Sequence, residues 1–250
     1  MSDFKEFFSK NAQEYSKSKS HSKGSDLAAL MDMLQLTSDM NCLDMATGTG
    51  FTAIELARKC GRVAAIDATE KMLFEAVANA TKAGYTGIEF IEGVVESTRL
   101  DSGSFDVITC RRAAHHFHDK GAFLREVMRV LKPGGKLGLV DMAVPDEDNS
   151  DLLNRIERIR DPSHVGAEKI STWNQLASVA GFKIIEIRET QEEYSLEAWM
   201  APVSTNGEAF AKVKEALGAA TEDDLSGAGV SSDREKIVKH RMIMLAEKPS

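Results

Sequence analysis

The chain has 250 residues, 42% of them hydrophobic and 28% charged, and a formal net charge of −8. The acidic balance argues against a nucleic-acid partner, which would need a basic face. No apolar run approaches the roughly 20 residues needed to span a bilayer. The three cysteines, Cys42, Cys60 and Cys110, lack C-x-x-C spacing, which suits a reducing cytoplasm and argues against a metal site.

The length fits one large domain, or one domain with a cap. The opening residues Met1–Glu6 are of mixed charge with no apolar signal core, so no export signal is expected. Phe4, Phe7 and Phe8 lie on one helical face, and the polar stretch Ser16–Gly24 is expected to be mobile. Leu27, Leu30, Met31 and Leu34 resume a helix, with Ser25 or Asp26 as its cap. These residues, 1–40, do not fit the pattern that follows.

From about residue 41 the pattern alternates strand and helix, which implies an α/β fold with a mostly parallel sheet. Strands are expected at 41–46, 62–67, 87–92, 105–110, 135–142, 182–189 and 239–247. Helices are read around Ile54, Leu56 and Ala57, over 70–83, and along the stripe Leu124, Val127, Met128 and Leu131. Pro133-Gly134-Gly135 ends that last helix. Leu152, Leu153, Ile156 and Ile159 form the apolar face of another, stopped by Arg160-Asp161-Pro162-Ser163-His164. The long segment 190–238 holds a helical stretch, Ala209–Ala219, and a soft region, Ser226–Ser232.

The most informative stretch is Leu43-Asp44-Met45-Ala46-Thr47-Gly48-Thr49-Gly50, a strand running into a glycine-rich turn. Glycines 48 and 50 let the backbone bend sharply and a ligand approach closely. Asp67 ends the next strand, 17 residues past Gly50, where a nucleoside-binding βαβ unit places the acid that grips ribose. Gly48-Thr49-Gly50-Phe51-Thr52-Ala53 also fits the dinucleotide pattern, so an NAD(P)-dependent oxidoreductase is one alternative. A non-catalytic cofactor-binding protein is another. Asp44 favours neither dinucleotide, because a carboxylate beside a pyrophosphate is unfavourable. An acid there suits the ammonium of a zwitterionic amino-acid group.

With these residues the chain resembles the class I S-adenosylmethionine-dependent methyltransferases, and more narrowly the branch containing the ubiquinone/menaquinone C-methyltransferases. Leu43–Gly50 is similar to that family's first motif and Gly93-Val94-Val95-Glu96 to its adenine segment. Ser104-Phe105-Asp106-Val107-Ile108 is similar to its fourth strand, and Leu131-Lys132-Pro133-Gly134-Gly135 to the turn before its fifth. Two positions differ. Ala46 replaces the usual first glycine with another small residue, and Val94 replaces an aspartate that accepts from adenine, a loss of about 1 kcal/mol.

The resemblance implies a Rossmann-like, doubly wound sheet of seven strands with an antiparallel last strand, an N-terminal lid over 1–40, and a cap at about 190–238 on the domain 41–250. It implies S-adenosylmethionine as donor and S-adenosylhomocysteine as product. Asp44 and Gly48 would hold the methionine end, Asp67 the ribose, and Val95 and Glu96 the adenine. Ala46, Thr47, Gly50, Ala68, Met72, Val94 and Arg111 would complete the cofactor wall.

Ligands of open α/β sheets bind beyond the carboxyl ends of the strands, and the fourth strand is followed by Arg111-Arg112-Ala113-Ala114-His115-His116-Phe117-His118. His115 or His116 is expected to orient or deprotonate the acceptor. Arg111 or Arg112 would supply positive charge to an oxyanion or carboxylate. Adjacent His115 and His116 point different ways, so no metal is expected. Arg112, Arg160 and His164 are the candidate substrate contacts, with Asp141 and Asp146 near the fifth strand's exit. Trp199 is a candidate wall for an aromatic acceptor; Phe117 and Phe123 read as core. The expected acceptor is a small aromatic or quinone-like molecule, handled in the cytoplasm without nucleic acid or stable membrane insertion, and a homodimer is compatible with this reading.

Overall fold

A computed structural model of the chain describes residues 3–201 and 207–250; the side chains of Asp3, Phe4, Lys19 and Ser20 lie outside the described part, and with them the expectation for Phe4. The parallel strands are β1 (Asn41–Met45), β2 (Arg62–Asp67), β3 (Glu89–Glu92), β4 (Phe105–Arg111) and β5 (Leu131–Val144). A two-residue strand, β6 (Glu168–Lys169), pairs with the end of β5. β7 (Lys183–Ser195) and β8 (Lys236–Glu247) close the sheet, β8 running antiparallel to β5 and β7. The order across the sheet is β3-β2-β1-β4-β5-β8-β7.

The central strands are apolar on both sides because helices cover both faces. Successive side chains alternate between faces. Leu43, Met45, Ala64, Ile66, Ile108 and Cys110 pack on one side against α6 (Lys120–Val130) and α8 (Ile170–Val179). Cys42, Val63, Ala65 and Val107 pack on the other against α3 (Ser25–Leu34), α4 (Phe51–Ala57) and α5 (Glu70–Lys82). A third apolar cluster joins α7 (Leu152–Arg160), α9 (Leu196–Met200), α10 (Gly207–Gly218) and α11 (Glu222–Gly227). No helix among the described residues is long and apolar enough to cross a membrane.

Three expectations are corrected. The stretch Ser16–Gly24 is largely helical: α1 (Asp3–Lys17) runs almost directly into α2 (Lys19–Lys23), whose N-cap Ser18 accepts from the His21 amide. Arg111 Nη1 also donates to the His21 carbonyl at 2.9 Å, tying α2 to the end of β4. Neither Ser25 nor Asp26 caps α3; the cap position is Gly24, and Asp26 is turned inward. The stretch Ser226–Ser232 is ordered: it begins in the last residues of α11, and Val230 bridges to Ile237.

Beside the two-residue β6 the sheet has seven strands; β3 is shorter than expected, and β5, β7 and β8 are longer. β7 runs to Ser195 and β8 begins at Lys236 because acid on one strand meets base on the other. Lys236 lies 2.8 Å from Glu193, and His240 2.5 Å from Glu189. The extra length carries this hairpin beyond the end of β5. The carboxyl ends of β1, β2, β4 and β5 open on the same side, where β1 meets β4 and the strand order reverses.

Candidate active site

The turn after β1 places three alternate residues under positive φ, Ala46 (53°), Gly48 (54°) and Gly50 (84°). A Cβ on Gly50 would stand 3.0 Å from the Ala76 Cβ, so this glycine also lets α4 approach α5. A Cβ on Gly48 would meet nothing within 4 Å, because the backbone there faces open space. Asp67 braces the turn: its carboxylate accepts from the Gly48 amide at 2.8 Å and the Thr69 amide at 2.9 Å. Burial raises the Asp67 pKa, and those backbone donors oppose the rise.

A cavity of about 190 Å³ opens above the turn. Of the expected cofactor set, Ala46, Thr47, Gly48, Asp67, Ala68, Met72, Val94, Val95, Glu96 and Arg111 line it. Asp44 and Gly50 do not. Asp44 is sealed in the sheet, accepting from Thr47 Oγ1 at 2.6 Å and Thr109 Oγ1 at 2.7 Å. Burial pushes its pKa up to about 6 against those two hydroxyls. Its direct partner is therefore Thr47, a residue of the cavity wall, and Gly50 acts as the start of α4.

Arg111 and Arg112 are also placed differently from expectation. Both guanidiniums fork onto the carboxylate of Asp26, with the four N–O distances between 2.9 and 3.0 Å. Asp26 is fully buried, and Arg241 Nε lies a further 3.9 Å from it. Burial alone would raise the Asp26 pKa, but the three arginines hold it well below the usual carboxylate range. The two arginines expected to meet an acceptor thus anchor the N-terminal helices to the end of β4. Those helices supply Phe8, Tyr15 and His21 to the cavity wall. Ser16 Oγ, 3.2 Å from Asn79 Oδ1, adds a tie between α1 and α5.

A larger cavity of about 530 Å³ adjoins the first and shares Phe8, Tyr15, His21, Arg112 and His116 with it. It brings together the predicted His115, His116, Arg160 and His164, and Asp141 with them. His115 Nδ1 lies 2.6 Å from Asp141 Oδ1, and the His115 amide donates to Oδ2 at 2.7 Å. A carboxylate only accepts, so Nδ1 carries the proton and the Nε2 lone pair is left for the cavity. His116 Nδ1 lies 2.9 Å from the Ser163 carbonyl, which likewise places a proton on Nδ1. Burial, then the neighbouring His115, holds the His116 pKa well below the ordinary imidazole value.

The run Arg160–His164 builds this arrangement. Asp161 is extended, as the residue before a proline must be, and its carboxylate accepts from the Ser163 amide and hydroxyl. That turn presents the Ser163 carbonyl to His116, while Val165 and Gly166 donate to the His115 carbonyl. Arg160 donates to the Trp199 carbonyl at 2.8 Å and to Glu157. His164 Nε2 meets Asn154 Oδ1 at 2.7 Å, and burial lowers its pKa to about 4. Trp199 is buried in α9 and borders the cavity, with Nε1 donating to Glu157. Asp146 is directed elsewhere, to Ser171. Phe123 is core; Phe117 is buried but also borders the smaller cavity.

Asp26, read only as a helix cap, and Tyr15, His21, Lys239 and Arg241 were not read as site residues. A signal existed for two groups: Asp26 stands directly before an apolar stripe, and Lys239-His240-Arg241 is a basic run in an acidic chain. Tyr15 and His21 carried no such mark.

The family described as "Methyltransferase domain" matches residues 43–139. The chain is similar to the protein named "Uncharacterized methyltransferase YcgJ" of Bacillus subtilis, with 34% identity over 194 residues, 77% of each chain. It is similar to the demethylmenaquinone methyltransferase of Lactococcus lactis, with 32% identity over 109 residues, 42% of this chain and 43% of that one. Among solved structures, a Bacillus halodurans C-125 protein crystallised as a candidate methyltransferase superposes with a TM-score of 0.85 at 32% identity, covering 91% of this chain and all of that one.

Proposed function

This chain belongs to the class I S-adenosylmethionine-dependent methyltransferases, and from that premise we propose that the smaller cavity seats the cofactor and the larger one a small acceptor. The carrying observation is that the two cavities share a wall while the His115–Asp141 pair borders only the larger. Membership of this family sets the dinucleotide reading aside.

The smaller cavity suits the cofactor. The open face of Gly48 admits a ligand against backbone, and Asp67 keeps lone pairs for ribose hydroxyls after accepting two amides. Val94, Val95 and Glu96 offer an edge for adenine, and Met72 an apolar contact. When bound, S-adenosylmethionine supplies a methyl group on a sulfonium, a leaving group already activated. The protein's work is then to align the acceptor at near-attack distance and to exclude water. Phe8 and Tyr15 line both cavities, so α1 acts as a lid, and the 190–238 insert borders the acceptor through Glu192 and Tyr194 at the end of β7 and Ala198 and Trp199 of α9.

His115 Nε2 takes the proton of an acidic O–H or C–H on the acceptor, and Asp141 stabilises the imidazolium that forms. The acceptor's freed electron pair would bond to the methyl carbon as the methyl–sulfur bond breaks, the sulfur leaving with that bond's electrons as the neutral thioether of S-adenosylhomocysteine. The likeness to demethylmenaquinone methyltransferase supports an aromatic or quinone-like acceptor. Calorimetric titration with S-adenosylhomocysteine, followed by an acceptor screen that reads its production from S-adenosylmethionine, tests the reading. Micromolar binding with turnover on a phenolic or quinol acceptor supports it. Failure to bind the nucleoside overturns it, and binding with no turnover across the screen favours a non-catalytic cofactor-binding role.

A further inference from the structure

Resting on the assignment of the larger cavity to the acceptor, we propose that the acceptor is an oxyanion-bearing molecule whose carboxylate or phosphate sits between Lys239 and Arg241. Both residues come from the N-terminal half of β8. Being two apart, they stand on one face of the strand, and both border the larger cavity. His115 and its partner Asp141 border the same cavity, although in the register Asp141 pairs with Met242 and its side chain leaves the sheet on the face opposite to Lys239 and Arg241.

The two cations are under-used by the protein. Among the described residues, Lys239 makes no hydrogen bond or ion pair; its ammonium lies 5.7 Å from the Tyr194 ring centroid. Arg241 reaches only Asp26, at 3.9 Å, and that carboxylate is already held by Arg111 and Arg112. Arg241 Nε is buried with no hydrogen-bond partner. A cation on a cavity wall with no protein hydrogen bond, as Lys239 is, points to a ligand acceptor.

The cavity's carboxylates do not fill this need. Asp141 is held by His115, Glu157 by Arg160 and Trp199, and Asp161 by Ser163. Glu14 pairs with Lys17 at 3.2 Å, and Glu192 lies near the Tyr194 hydroxyl, whose pKa it helps to raise. Burial pushes Lys239 down to about 8; Glu157 opposes this, while Arg160, Arg241 and Arg112 add to it. An arriving oxyanion would relieve that crowding of like charges and accept the idle donors in charge-assisted hydrogen bonds. A neutral quinol would leave them idle.

The test titrates 4-hydroxybenzoate, phenyl phosphate and the neutral 4-hydroxybenzamide into protein saturated with S-adenosylhomocysteine. At least one anion is expected to bind about tenfold or more tightly than the amide. Lys239→Met and Arg241→Met should each weaken that anion about tenfold and leave the amide unchanged. Lys239→Arg should keep the anion, and Lys236→Met, which removes an exposed ion pair with Glu193, should change nothing. Whichever anion binds more tightly identifies carboxylate or phosphate as the handle.

The proposal falls if the amide binds as well as both anions, if anion affinity survives both methionine substitutions, or if neither anion binds at millimolar concentration. The wild-type comparison decides the matter alone should a variant fail to fold. The same titrations without the nucleoside keep the two readings separable. Loss of S-adenosylhomocysteine binding would remove the proposed function, whereas the anion preference would still report on Lys239 and Arg241.

Discussion

Asp141 accepts twice from His115, once from its backbone amide at 2.7 Å and once from ring Nδ1 at 2.6 Å. The double contact fixes both the position of the imidazole and which nitrogen carries the proton. Replacing His115 by alanine should lower turnover about 10²–10⁴-fold and leave S-adenosylhomocysteine affinity intact, since His115 borders only the larger cavity. Asp141→Asn should lower turnover as well, through loss of the tautomer bias. Single-turnover rates with a working acceptor check this; full activity in both variants would assign proton removal to another group.

Asp26 holds two buried guanidiniums, with a third close by. Asp26→Asn leaves them without a countercharge, and a loss of about 3–5 kcal/mol in urea unfolding is expected. Because the same contact ties α3 to the end of β4, S-adenosylhomocysteine binding should weaken too. A variant as stable as the parent would show that the carboxylate is not the anchor.

His164 is buried with its pKa lowered to about 4. A histidine whose folded-state pKa lies below its unfolded value stabilises fully above that unfolded value, near 6.5, and loses the contribution as pH falls toward the folded one. Wild-type stability should therefore fall between about pH 6.5 and 4, with His164 accounting for about 3 kcal/mol of it. In His164→Gln the slope should flatten without vanishing, because His116 is lowered in the same way. Chemical denaturation at a series of pH values reads the difference; parallel curves would contradict it.

Asp67 both braces the glycine turn and faces the smaller cavity. If Asp67 accepts from the ribose as proposed, Asp67→Ala should raise the dissociation constant for S-adenosylhomocysteine roughly tenfold to a hundredfold. Calorimetry gives the value directly, and an unchanged constant would remove Asp67 from the ribose.

The parallel half of the sheet was legible because its determinants are local. Buried runs such as Cys42–Met45 and Val63–Ile66 sit between turn residues, and the glycine turn with its distant acid announces the smaller cavity. The larger cavity was legible only in part. His115, His116, Arg160 and His164 stood in conspicuous polar runs, but the arginines' partner lies more than 80 residues upstream, and nothing local links Asp26 to them. The ends of β7 and β8 were missed for a related reason. Their pairing rests on charges facing across two strands, whereas periodicity along one strand reports only apolar burial.

Phe8, Tyr15, His21, Arg112 and His116 belong to both cavities, and this has a thermodynamic consequence. Two molecules that lean on the same side chains do not bind independently. The first arrival pays to order the common wall, and the second finds it ordered. Linkage makes the effect mutual: whatever factor the cofactor adds to acceptor affinity, the acceptor returns to the cofactor. With the cofactor in one cavity and the acceptor in the other, as proposed, departure of either would weaken the hold on the other through this one partition of helix and side chain.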